Sequence, residues 1–352
     1  VPFISRYRKE LTGSMDEVEV ANVRDRIAQL RDLDKRREAI LKSIDEQEKL
    51  TPELKAKIDA AETMAVLEDL YLPYKPKRKT RASVAKEKGL EPLAKVIWDQ
   101  GSLLPEQEAE QFISEEKGVE DIAAALQGAR DIIAEWISED AEARKKIRGL
   151  FKSEGVVSSR VLKGKEEEGN KYKDYFEWEE SLKEIPSHRL LAIRRAEREG
   201  ILMMDTSIPE ENAFNLLGRM FVQGQNAASE QVEIAMKDSY KRLIKPSIET
   251  EARLESKKAA DLEAITVFAE NLKQLLMAAP LGQKAVMAID PGFRTGCKVV
   301  CLDRQGKLLE NTAIYPNAPQ NDQHTAGAVV MALAQKHNVE AIAIGNGTAS
   351  RE

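Results

Sequence analysis

Near Leu281-Gly282-Gln283 the apolar residues of this chain change their spacing, from roughly every 3.6 positions to every second one. Upstream, Leu254, Leu262, Ile265, Phe268, Leu272, Leu275 and Leu276 trace one face of a long helix that Pro280 must end. Downstream, strands are expected at 285–290, 297–303, 307–315 and 340–345, with a helix at 323–337. A period-two pattern does not settle as a helix, nor a 3.6-residue pattern as a strand. The chain must therefore divide there, into a helical body, one long linking helix and a small α/β domain. Domains are expected at 1–150, 151–283 and 284–352.

Composition agrees. Of the 352 residues 32% are charged and only 5% aromatic, a mixture dense in Ala, Glu, Lys, Leu and Arg that suits exposed helices better than a β-sandwich. The net charge of -6 supplies no global basic field, so any nucleic-acid role must rest on local patches. Cys297 and Cys301, the two cysteines, lie four apart on one expected strand, too far along it to bridge. They are expected to be reduced thiols packed as small apolar groups, in a cytoplasmic protein. No run is long enough to span a membrane, and Val1 opens no signal-peptide pattern, so no membrane partner is expected. The opening VPFISRYRKE reads as the middle of something, and the chain is expected to be trimmed at both ends.

Val23, Ile27, Leu30, Leu41 and Ile44 form an apolar stripe whose helical spacing breaks near Arg37. Thr51-Pro52-Glu53 starts the next helix with a hydroxyl cap, a first-turn proline and an acid. That helix is expected to carry Leu54, Ile58, Ala61, Ala65 and Leu72 to a stop at Pro73. A basic break, YKPKRKTRAS, follows, and then two short helices, 82–88 and 91–98, flank Gly89 in helix-turn-helix outline. Ile122, Leu126, Ile132, Ile133 and Trp136 line the buried side of another amphipathic helix. Residues 153–185 read as irregular, and Arg189, Arg194, Arg195 and Arg198 form a cationic helix ended by Gly200.

The first strand of the last domain delivers Asp290 into a Pro-Gly turn, and a second returns from Cys297 to Leu302. This order resembles the start of ribonuclease H-type folds, which place a metal-binding Asp at that first strand end. Six blocks in order widen the resemblance: VPFISRYRKELTG, YLPYKPKRKTRA, GARDIIAEWISED, KYKDYFEWEESLKEIPSHRLLAIRR, DPGFRTGCK and IGNGTASRE. Over essentially the whole chain they resemble Tex, a family of bacterial transcription accessory proteins. The resemblance implies a mainly α, multi-helical N-terminal region with a helix-turn-helix-like part. It also implies a long linking helix and a truncated α/β ribonuclease H-like domain of YqgF type. Helix-hairpin-helix elements and an OB-fold RNA-binding domain would follow in the family. The partners so implied are nucleic acid, RNA or DNA, and the transcription machinery.

Phosphodiester chemistry on metals needs several carboxylates within a few ångströms. Asp290 finds none at the tip of the fourth strand, Ile342-Ala343-Ile344-Gly345-Asn346, while Asp303 belongs to the opposite edge of an antiparallel pair and Glu352 to the next helix. Asp290 is therefore expected to cap the turn before Arg294, and Mg²⁺ enters only if the chain belongs to a nuclease. No other cofactor is expected. The loops GFRTG and GNGTAS could offer backbone N–H groups to an anion beside Arg294 and Arg351, and ordinary turn chemistry explains them as well.

The sharpest cationic feature is Lys75, Lys77, Arg78, Lys79 and Arg81, with Tyr71 and Tyr74 before it as stacking surface. The Arg189–Arg198 stripe is expected to pair with Glu197 and Glu199, and Tyr172, Tyr175, Phe176 and Trp178 to anchor a loop. His188, His324 and His337 show no ligand spacing. The chain is thus expected to serve a nucleic-acid-binding, non-catalytic transcription accessory factor. The alternatives are a metal-dependent nuclease using Asp290 and a helical protein-binding scaffold.

Overall fold

In the computed structural model, which describes every residue except Lys77, Arg294, Gly347, Thr348, Arg351 and Glu352, two compact units emerge, Val1–Val267 and Phe268–Glu352. The first begins with α1 (Pro2–Tyr7), α2 (Glu17–Asp45), α3 (Pro52–Asp59) and α4 (Met64–Tyr71). Asp16 starts α2 by accepting from the Val18 and Glu19 backbone N–H groups, while the Glu19 carboxylate accepts from the Asp16 backbone N–H. The helix runs unbroken through Arg37, whose guanidinium donates to the Ile58 carbonyl at 3.2 Å and the Ala61 carbonyl at 2.8 Å. The break in apolar spacing is therefore a side chain closing the end of α3, and α2 continues through it.

The single helix expected from Thr51 to Pro73 is two. Thr63 accepts from the Val66 N–H and restarts the chain as α4. Leu33, Ile40, Ile44, Ile58, Leu67 and Tyr71 form the core of this cluster, whereas Val23, Ile27 and Leu30 at the start of the stripe stay exposed.

Next come α5 (Arg81–Glu87), α6 (Glu91–Trp98), α7 (Pro105–Glu110), α8 (Ile122–Glu139) and α9 (Ala141–Glu154). Asp121 caps α8 and Asp140 caps α9. Helix α8 is the hub of the unit, buried along most of its length, with Ala125, Ala129, Ile132, Ile133 and Ile137 fully enclosed. A Cβ on Gly128 would stand 2.3 Å from Leu90 Cδ1 and 3.3 Å from Ala85 Cβ, so glycine lets the α5–α6 turn lie directly on α8.

Residues 153–185, expected to be irregular, supply two strands. β1 (Val156–Val161) pairs antiparallel with β2 (Glu177–Ser181) and, beyond α10 (Ser187–Arg198), with β3 (Leu202–Ser207), in the order β2-β1-β3. The edge strand EWEES offers no run of apolar alternation, which is why its sequence hides it. Leu190, Ile193 and Ala196 of α10 cover one face over Val157, Leu202 and Met204. The aromatics anchor this region as expected: the Tyr172 hydroxyl donates to Glu199 at 3.0 Å, and Tyr175 meets Trp178 edge-on at 5.9 Å.

Then follow α11 (Glu210–Phe221), α12 (Ala227–Ser239), a π-helical turn (Tyr240–Ile244) and α13 (Lys245–Leu276). A charge lattice joins α4, α9 and α13. Arg144 donates to Asp69 at 2.7 Å, to Ser247 at 2.8 Å and to Glu251 at 3.1 Å, and Arg148 to Glu251 at 2.8 Å and Asp69 at 3.0 Å. Burial works against the Arg148 charge, but its bond to Glu251 and the Asp69 charge outweigh that and raise its pKa. The α13 stripe is present but uncovered: Leu254, Leu262, Ile265, Phe268, Leu272, Leu275 and Leu276 are all exposed.

The second unit holds β4 (Val286–Asp290), β5 (Cys297–Leu302), β6 (Leu308–Ile314), α14 (Gln323–Lys336) and β7 (Ala341–Ile344), each end within one residue of expectation. The sheet order is β6-β5-β4-β7, with β4–β7 parallel and the other pairs antiparallel. Met287, Val299, Ile314 and Leu333 pack with both cysteines, which are free buried thiols. This is a mainly helical chain ending in a small α/β domain, as expected. Among the described residues no helix is long and apolar enough to cross a membrane.

Tyr240, in the π-helical turn, is fully buried against Phe214, and its hydroxyl has no partner among the described residues. Burial pushes its phenol from 10.0 up to about 12. Between those pH values the native state keeps a proton that the unfolded state has lost, so its contribution to stability falls as pH rises. Tyr240→Phe should remove that decline and cost little near neutrality, where no hydrogen bond is lost. Urea unfolding of both proteins at neutral pH and at pH 10 to 12 measures the difference.

Candidate nucleic-acid interface

The cationic loop between α4 and α5 hangs between two anchors. On the α4 side Tyr71 is buried, its hydroxyl 2.9 Å from Ser43 Oγ, and the Tyr74 carbonyl accepts from Gln47 at 2.9 Å. On the α5 side Thr80 accepts from the Ser83 N–H at 3.0 Å and donates through its hydroxyl to Glu135 of α8 at 3.1 Å. Ser83 returns the cap by accepting from the Thr80 N–H at 2.8 Å.

Between these anchors Lys75, Arg78 and Lys79 are exposed, and so is Arg81 at the start of α5. Lys79 comes no nearer to Glu87 than 3.9 Å, and Lys75, Arg78 and Arg81 make no ion pair within 4.0 Å among the described residues. Lys77 lies outside the described residues. The expected stacking surface is corrected: Tyr71 belongs to the core with the Arg36 guanidinium over its ring at 5.4 Å, and Tyr74 is half-buried against the same cluster.

Beyond the loop, α5 and α6 form the expected helix pair around Gly89, which has a φ of +81° that favours glycine. The outward face of α6 carries Glu91, Lys95 and Asp99, with Lys95 3.8 Å from Glu91, so it adds no net positive charge. Between α5 and α8 lies a cleft of ≈ 490 Å³, lined by Lys79, Arg81, Val84, Ala124, Gln127 and Asp131 among others. Asp131 is 9% exposed, and burial raises its carboxyl pKa against the pull of Arg242 at 3.5 Å and a bond from Gln127 at 3.3 Å. Asp131 and Glu135 escaped the sequence reading. Two acids four apart, set among the buried apolar residues of α8, were the available signal.

Asp290 ends β4 exposed to solvent, lining a depression of ≈ 450 Å³ with Ala288, Lys298, Val300, Ala343 and Gly345. Its register partner is Lys298, a cation where a metal site needs a second acid. Asp303 is used locally, accepting from the Gln305 and Lys307 N–H groups at 2.9 Å. Among the described residues no three His, Cys, Asp or Glu side chains gather around a common point for a metal ion. Arg294 and Arg351, proposed beside the glycine loops, lie outside the described residues. Of the α10 arginines, Arg194 meets Glu197 at 2.8 Å as expected, and Arg189 meets Glu180 at 3.2 Å instead. Glu199 pairs with Lys171 at 2.8 Å, and Arg195 and Arg198 are exposed with no ion pair within 4.0 Å among the described residues.

Three family models match the chain: "Tex-like protein N-terminal domain" over residues 1–45, "Tex central region-like" over 100–268 and "Tex protein YqgF-like domain" over 284–352. "Protein YhgF" of Escherichia coli (strain K12) is 45% identical over all of this chain and 47% of its own length. "Transcriptional accessory protein Tex" of Neisseria gonorrhoeae is 41% identical over all of the chain and 46% of its own. The human "S1 RNA-binding domain-containing protein 1" is 28% identical, with 36% of its length covered. The chain spans about half the length of the bacterial relatives it matches.

The glycine of the GFRTG turn next to β5 has a structural cause. Gly296 has a φ of +71°, and a Cβ there would stand 2.5 Å from the Tyr315 ring and 2.8 Å from the Ile314 carbonyl. Gly296→Ala should destabilise the second unit by about 1–3 kcal/mol through overpacking and backbone strain. Thermal unfolding of the variant against the parent chain tests this.

Proposed function

This chain belongs to the Tex family, and on that premise we propose that it is part of a cytoplasmic transcription accessory protein, binding nucleic acid through the Lys75–Arg81 loop. The carrying observation is the cluster of Lys75, Arg78 and Lys79 between two anchors, with Arg81 beside them at the start of α5, all exposed and, among the described residues, not spent on close ion pairs. Fixed cations facing solvent suit phosphates, whose charge recurs along any nucleic acid irrespective of sequence. Two relatives bear names that speak of transcription accessory work and of an S1 RNA-binding domain, which supports the same reading.

Bond-making forms no part of the proposal. Asp290 stands opposite a lysine, and a lone carboxylate beside a cation neither holds Mg²⁺ well nor activates water on it. A Mg²⁺- or Mn²⁺-dependent cleavage of single-stranded or branched substrates that Asp290→Asn abolishes would overturn this part.

The loop is tested by replacing Lys75, Lys77, Arg78, Lys79 and Arg81 with Gln. Affinity for single-stranded RNA should fall, and the log–log salt dependence should flatten by about 0.7 for each phosphate contact removed. An unaltered slope would exclude the loop as a phosphate contact.

A further inference from the structure

We propose that the cleft between α5 and α8 receives a nucleobase bearing an exocyclic amino group, which the Asp131 carboxylate accepts while Lys79 and Arg81 at the rim hold the adjoining phosphates. This rests on the reading of the neighbouring loop as a phosphate contact. At ≈ 490 Å³ the cleft falls in the range of small-ligand sites. Its lining is divided by chemistry. Val84 and Ala124, both half-buried, present the small apolar surface against which a flat ring can lie, over a floor of Ala85 and Gly128. Lys79 and Arg81 stand on the side of the loop, and Asp131 is the one acid in the lining.

The carboxylate is half satisfied. Gln127 at 3.3 Å and Arg242 at 3.5 Å both reach Oδ1, the Arg81 charge also acts on the carboxylate, and Oδ2 has no hydrogen-bond partner among the described residues. A carboxylate so enclosed gains most from an N–H donor brought by a ligand. Cytosine N4, adenine N6 and guanine N2 are such donors, whereas uracil and thymine turn a carbonyl oxygen toward the same place. A lysine or arginine from a protein partner could satisfy Asp131 but would have to pass Lys79 and Arg81. A nucleotide brings the amine and the phosphate together, and so matches both parts of the cleft.

Oligocytidine and oligouridine of equal length isolate the claim, because their bases differ along one edge alone, an N4 amine beside an N3 acceptor in cytosine against an O4 carbonyl beside an N3–H in uracil. In anisotropy titrations of this 352-residue chain at low ionic strength, oligocytidine should bind about tenfold more tightly. Asp131→Asn, whose amide can donate to the uracil carbonyl, should erase that preference. Ala124→Phe, which fills the cleft and keeps the Asp131–Arg242 contact, should erase it as well. Equal affinities for the parent chain, or a preference that survives Ala124→Phe, would overturn the base site and leave the loop reading standing. Absence of salt-dependent binding to either oligonucleotide would overturn both.

Discussion

The arrangement of the first unit depends on a four-residue charge lattice, Asp69 on α4, Arg144 and Arg148 on α9 and Glu251 on α13. Arg144 and Asp69 each leave only 6% of their side chains exposed, so neither charge can be left alone. Two carboxylates divided between two guanidiniums satisfy each other only when all three helices hold their positions. Deleting one member strands the rest at a cost of about 3–5 kcal/mol, far above a surface pair. Apolar packing alone would allow α4 to slide on α9, whereas the lattice sets its register.

That register matters because the cationic loop begins right after α4. Asp69 holds one end of the loop through α4, and Thr80 holds the other on Glu135 of α8. Loops pay an entropic cost when they are ordered by a ligand, and one already fixed at both ends pays less. On the proposed function, the exposed lysines and arginines would therefore meet a ligand already in place. The adjoining cleft draws on the same geometry, since its walls are α5, which Thr80 starts, and α8, on which Gly128 lets α5 and α6 rest.

The second unit was almost wholly legible in the sequence, because alternating Val, Ile, Cys and Leu under a Pro-Gly turn leave few other solutions. In the first unit the capped helices were legible and the joints were not. The break at Thr63 hid within continuous helical spacing, and Arg37 looked like a flaw in a stripe until its two carbonyl partners were in view. The strands β1 and β2 stayed hidden since neither alternates cleanly. For the interface, the charge run was plain, but which tyrosines it could use was not. Tyr71 is claimed by the core, a long-range fact that local pattern does not carry. Asp131 and Glu135 acquire meaning only when α5 lies across them.

The central claim is that the lattice holds the loop in place for binding. Amide hydrogen exchange of Asp69→Asn, read together with its affinity for single-stranded RNA, tests it most directly. The account predicts faster exchange across Met64–Tyr71 than across Ile122–Glu139, and weaker binding although every loop cation is intact. Full protection of Met64–Tyr71 with unaltered affinity would contradict it.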